Sequence, residues 1–278
     1  LGWLLWRQQD TSNLAKPAAR NPFWTSLFNN DSETFIVCAD SSWVLRQDVL
    51  DHDLSLSDYI GTNWNTPLID AAKDKGKQPM LHFLPLKQYT SMADVRLVER
   101  LLLLNSSYWK RTMVRSSRSM QMRDFKTANS VLIGSSRAVP WVNLFQSKLN
   151  FPVEYDYGTH LPLVRNRNPM PGEQTIYMNG TEDGKPSHVY SVLTYVPNLS
   201  MTGRVLIVAG TSMEGTEAAA EYLTNPRSFA TLLQTITGKS DATSNPPYFE
   251  VLLKSNTMAG TPGSSEIVAF RRVNLKEW

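Results

Sequence analysis

Four short polar stretches carry the side chains that could do chemistry, and each directly follows an apolar run. They are "DSS" (40–42), "RSSR" (115–118), "SSR" (135–137) and "TSMEGT" (211–216). Each also precedes a segment that reads as a helix start, where the first backbone N–H groups lack intrahelical partners. Backbone donors, hydroxyls and arginines at such positions suit a carboxylate, a phosphate or a sugar-like ligand. The residues expected to line a binding pocket are Ser41, Ser42, Arg115, Ser135, Ser136, Arg137, Thr211 and Ser212. The competing reading is that Ser, Thr and Asp stand there only because they cap helices.

One of these stretches admits a reaction. "GSSRA" (134–138) has the form of a G-x-S-x-G nucleophile elbow, with Ala138 in place of the last glycine. "GTSMEG" is a second version in which Glu214 takes that place. A serine hydrolase using Ser136 or Ser212 also needs a histidine base later in the chain, and only His160 and His188 follow Ser136. "THLPL", around His160, reads as a loop able to reach the pocket, whereas His188 sits beside a hairpin turn.

Other chemistries lack their signatures. No G-x-G-x-x-G follows the first apolar run and no Walker-type loop occurs, so no nucleotide cofactor is implied. The four histidines have no metal-ligand spacing, and Asp51-His52-Asp53 falls in a loop where adjacent side chains point apart, so no metal site is expected. The single cysteine, Cys38, rules out an intrachain disulfide and reads as a buried small apolar residue. Net charge is +3, and the basic residues are scattered, which argues against direct nucleic-acid contact.

The elements that must position these groups alternate. "ETFIVCA", "WKRTMVRSS", "NSVLIGSS" and "GRVLIVAG" read as strands, mostly apolar, separated by helical patterns. Asn21-Pro22 opens one helix, and Ser91 with Asp94 opens another whose face is expected to hold Val95, Val98, Leu101 and Leu102. "AVPWVNLFQSKLN" reads as a helix, and residues 51–90 as loops with one short helix at "PLIDAAKDKG". "FPVEYDY", "QTIYM", "SHVYSVLTYV", "PYFEVLLKS" and "SEIVAFRRV" read as further strands joined by Gly/Pro/Asn-rich turns. The fold expected is one α/β domain over 21–278. It is a doubly wound, Rossmann-like, mostly parallel sheet with helices on both faces and antiparallel edge strands.

"LGWLLWRQQ" opens with large apolar residues, too few to span a bilayer. It reads as the end of a membrane anchor with Trp3 and Trp6 in the interface, and residues 11–20 as a polar tether; an ordinary amphipathic terminus is the other reading.

The segments "NSVLIGSSRAVPWVNLFQSKLNF" and "GRVLIVAGTSMEGTEAAAEYLTNP" together resemble the C-terminal domain of bacterial membrane-anchored proteins with an N-terminal winged-helix DNA-binding domain. The resemblance runs from about "NPFWTSLF" to "LTNP" and rests on pattern, with no catalytic motif to carry over. It implies a sensory or interaction role on the extracytoplasmic, periplasmic side of a membrane. The function expected is a non-catalytic ligand-binding domain of a membrane-anchored regulator. A ligand would bias two arrangements of the rim loops or of a homodimer. The alternatives are the serine hydrolase and a protein–protein scaffold that takes no ligand.

Overall fold

The computed structural model describes residues 21–28, 32–64, 76, 78–182, 185–238, 246–258, 261–276 and 278. The expected anchor and tether (1–20) and most of "PLIDAAKDKG" lie outside the described residues.

Four strands form the parallel part of the main sheet, three of them buried apolar runs and the fourth, TMVRS (112–116), a half-exposed edge strand. They are β1 (Thr34–Cys38), β2 (Thr112–Ser116), β3 (Asn129–Ile133) and β9 (Arg204–Gly210), paired in parallel in the order β2-β1-β3-β9. The sheet continues from β9 through antiparallel β8 (Lys185–Pro197), β10 (Phe249–Met258) and β11 (Thr261–Arg272), with β7 (Gly180–Glu182) paired to β8. Six of these eight strands run in one direction. The chain is therefore a mixed α/β protein with a large, mostly parallel central sheet carrying an antiparallel extension.

Side-chain alternation divides the core into two layers. Ile36, Val131, Leu206, Val208 and Val251 face one layer, and Val37, Leu132, Val205, Ile207 and Leu252 face the other. Each such side chain, fully removed from water, contributes about 1.5–3 kcal/mol. The first layer is covered by α1 (Pro22–Phe28), α5 (Met92–Leu104), α8 (Met213–Thr224) and α9 (Pro226–Thr237). The remaining helices are α2 (Ser41–Leu50), α3 (Leu56–Gly61), α4 (Gln78–Phe83), α6 (Asp124–Thr127) and α7 (Asn143–Gln146).

The second layer departs from long helices on both faces. It is covered by α6, α7, short 3-10 turns and a separate antiparallel sheet, β4 (Val153–Asp156), β5 (Leu161–Arg165) and β6 (Ile176–Met178), in the order β4-β5-β6. "LPL" (161–163), expected as part of the loop "THLPL", belongs to β5, the middle strand of that sheet. Pro162 is tolerated because β6 pairs only with Leu163–Arg165, so its missing N–H breaks no ladder bond to β6. "AVPWVNLFQSKLN" is not one helix but a 3-10 turn (Pro140–Val142) followed by α7. Neither piece has a side-chain N-cap, and burial of Trp141, Val142 and Phe145 decides the local shape. On α5 the buried stripe is Ala93, Asp94, Leu97 and Leu101, while Val95 is exposed. The stripe rotates because Asp94 turns inward to accept a hydrogen bond from the Ala39 N–H at 2.7 Å.

A buried carboxylate ties the two sheets together. Glu250 on β10 accepts from the N–H groups of Asn150 and Phe151 at 2.7 and 3.0 Å, just before β4. Its burial pushes the carboxyl above the usual range, against the pull of those two donors. No helix among the described residues is long and apolar enough to cross a membrane.

Candidate functional site

Strand order places a crevice. The chain runs from β1 to one neighbour, β2, and then returns past β1 to β3 on its other side. Loops leaving β1 and β3 therefore diverge, and a gap opens at the carboxyl ends of these strands. The turns after Ala39, Gly134 and Gly210 all border one cleft of about 380 Å³ there.

Two glycines allow that convergence. Gly134 has φ +128°, which turns the chain off β3, and a Cβ there would meet the Ala138 Cβ at 3.2 Å. Gly210 ends β9 against the first turn of α8, where a Cβ would stand 2.2 Å from the Thr216 nitrogen.

Five of the eight expected residues line the cleft: Ser41, Ser135, Arg137, Thr211 and Ser212. Their roles differ. Ser212 caps α8, its hydroxyl accepting from the Gly215 N–H at 3.2 Å. Thr211 donates to the Asn179 side chain and accepts from the Tyr190 N–H, so its hydroxyl is engaged within the fold. The hydroxyls of Ser41 and Ser135 have no hydrogen-bond partner among the described residues and remain for a ligand or water.

Arg137 is held in place. Its guanidinium donates to Asp48 and, at 3.2 Å, to the Tyr157 hydroxyl, and it lies 4.0 Å from the centre of the Tyr155 ring. Burial works against its charge, but Asp48 and Tyr157 more than offset that and raise its pKa.

The other three expected residues lie elsewhere. Ser42 is buried under the α2 start, its hydroxyl donating to the Lys87 carbonyl at 2.8 Å. Arg115 projects from edge strand β2 over Phe35, away from the crevice. Ser136 faces a neighbouring cleft of about 590 Å³ rather than the first one. The consecutive serines 135 and 136 thus point into different spaces.

The second strand exit serves structure instead. Arg118 is 6% exposed and grips Asp40, 3% exposed, through Nε at 2.6 Å and Nη2 at 3.1 Å. Asp40 is also the N-cap of α2, so this pair orients the turn that carries Ser41. Trp64 lies with its ring centre 3.9 Å from that guanidinium and edge-on to Trp43 and Tyr59. Burial, followed by the Asp40 charge, pushes the Tyr59 hydroxyl far above its usual value.

Most of the cleft's walls were not singled out by sequence reasoning. Val44 and Leu45 come from α2, Met213 from α8, and Val153, Tyr155 and Pro162 from the small sheet folded over the rim. Val153 and Tyr155 carry the period-2 spacing of a shared strand face, the one signal that could have flagged them. The cleft is thus mainly apolar, with hydroxyls along the strand-exit side.

Neither Ser136 nor Ser212 has a histidine partner among the described residues, and the serine beside His188 Nδ1, at 3.2 Å, is Ser187. His160 is exposed beside Asp51, and His188 packs against Gly180 and Tyr190; neither lines the cleft. Burial and then Asp94 push the Cys38 thiol up to about 12, which disfavours its thiolate. Asp51, His52 and Asp53 are exposed, as expected for a solvated loop, and no cluster of metal-ligating side chains occurs among the described residues. A fluorophosphonate probe is expected to leave both Ser136 and Ser212 unlabelled by intact-mass analysis. Labelling lost on Ser136→Ala or Ser212→Ala would restore the hydrolase reading.

Comparison with protein-family models, with curated proteins and with solved structures finds no match to this chain.

Proposed function

We propose that this chain is a non-catalytic ligand-binding domain, the sensory part of a membrane-anchored regulator, and that the cleft at the β1/β3 crevice is its site. The observation that carries this is the convergence of three strand-exit turns on one mainly apolar space of about 380 Å³, a size and lining typical of small-molecule sites. The divergence of the loops after β1 and β3 supports reading the parallel half as doubly wound and Rossmann-like. The regulatory setting and the extracytoplasmic location rest on the family resemblance of the two strand–turn–helix segments.

A purely anionic ligand fits less well than a molecule with an apolar part. Arg137, the cation of the cleft, already faces Asp48, and Asp94 already accepts from Ala39, Thr90 and Ser91. A bound ligand would bias rim-loop arrangements, or a homodimer, only to the extent that it binds the two states differently.

The test is a thermal-shift and native-mass-spectrometry screen of a small-metabolite library, with Leu45→Trp as the blocked control. A ligand at 100 times its Kd is expected to add about 2.7 kcal/mol of stability, a shift of several degrees in Tm. Leu45→Trp is expected to abolish the shift while leaving the unliganded Tm unchanged, since Leu45 is 38% exposed at the mouth. A library from which nothing is retained would point instead to the scaffold role.

A further inference from the structure

The two clefts share a wall. Arg137, Val153, Glu154 and Tyr155 border both the 380 Å³ space and the 590 Å³ space beside it. Their linings differ in kind. The first presents Val44, Leu45, Pro162 and Met213. The second adds Leu54 and Leu56 but also Gln47, Asp53, Ser55, Ser136, Asn143 and Gln146, so it is about half polar.

The charged groups along this wall are already engaged with one another. Arg137 donates to Asp48, Glu154 accepts from Arg165 at 2.7 Å, and Asp53 accepts from Tyr157 at 3.1 Å. The Ser136 hydroxyl and the Asn143 and Gln146 side-chain amides, in contrast, have no partner among the described residues. Beside Leu54 and Leu56, what the second cleft offers a ligand is therefore uncharged: amides that both donate and accept, and a hydroxyl.

Resting on the ligand-binding reading above, we infer that the two clefts form one elongated site for an amphiphile. Its apolar chain lies in the first cleft, and an uncharged, hydroxyl-bearing head lies in the second. An anionic head would meet two carboxylates and an arginine that is already neutralised. A polyhydroxylated head exchanges hydrogen bonds with Ser136, Asn143 and Gln146 at no desolvation cost of a charge.

Four probes separate the parts, each titrated by calorimetry below its micelle concentration: octyl glucoside, octanol, glucose and octanoate. Octyl glucoside is expected to bind at least about tenfold tighter than octanol, the worth of one or two net hydrogen bonds. Asn143→Ala is expected to weaken octyl glucoside severalfold without changing octanol, and Leu45→Trp to remove both. Equal affinity for octanol and octyl glucoside, unaltered by Asn143→Ala, would overturn the inference and leave the single-cleft reading standing. Tighter binding of octanoate than of octyl glucoside would overturn the uncharged head. No binding of any probe would overturn the inference together with the apolar-cleft reading beneath it.

Discussion

Arg118→Ala is expected to lower the unfolding free energy by about 3–5 kcal/mol, the usual result of leaving one partner of a buried ion pair alone. The Arg118 side chain is only 6% exposed, so water can replace few of its contacts. Besides Asp40 it donates to the carbonyls of Pro85 and Lys87, each at 2.6 Å. Its loss leaves the Asp40 carboxylate, among the described residues, with only the Tyr59 hydroxyl and the Trp43 N–H as donors. For a protein whose whole stability is about 5–15 kcal/mol, that is a large fraction. Urea unfolding followed by tryptophan fluorescence measures it. Arg118→Lys should recover only part, because an ammonium cannot make the forked contact. The double change Asp40→Asn with Arg118→Met should cost less than the sum of the single changes, since it buries no lone charge. A loss below about 1 kcal/mol for Arg118→Ala would mean the pair is not what holds this turn.

Gly210→Ala is the second large effect. The added methyl would stand 2.2 Å from the Thr216 nitrogen, 2.5 Å from the Gly215 carbonyl carbon and 2.7 Å from the Ser212 oxygen. These are backbone atoms of the α8 start, so no rotamer change relieves the overlap, and β9 and α8 must separate. Overpacking of this kind costs about 3 kcal/mol or more, which lowers Tm by roughly 6–12 °C in a domain of this size. Differential scanning calorimetry reads it directly. Gly61→Ala is the control: it ends α3 with nothing within 4 Å of its Cβ, and should change Tm by no more than a degree or two. Because Gly210, Thr211 and Ser212 border the cleft, Gly210→Ala should also remove ligand binding. If it matched Gly61→Ala in stability, the close approach of strand and helix would be wrong.

Both results turn on residues whose types could be read but whose partners could not. "CADSS" advertises a helix cap, and Asp40 is one. Nothing local says that the arginine closing on it lies 78 residues away, or that Arg118 rather than Arg115 turns inward. The distinction between Ser135 and Ser136 is of the same kind. Adjacent residues after a strand point apart, and only the position of the small sheet decides which space each one faces.

Local order was legible from the chain alone wherever short-range physics governs. The parallel strands β1, β3 and β9 announced themselves by continuous apolar runs, which suit strands buried on both faces, whereas β2, the half-exposed edge strand, carries a mixed run. The starts of α1, α2, α5 and α8 followed from capping residues, whose hydrogen bonds reach only two or three positions along the chain. The antiparallel extension was visible in the same way. Tertiary structure alone decided that β4-β5-β6 folds over the crevice and supplies its apolar wall. It also decided that the charges there neutralise one another, and that one face of the sheet is roofed by short turns. Those outcomes depend on which distant surfaces meet, and burial free energy, unlike a helix cap, is set by the area of contact and not by sequence spacing.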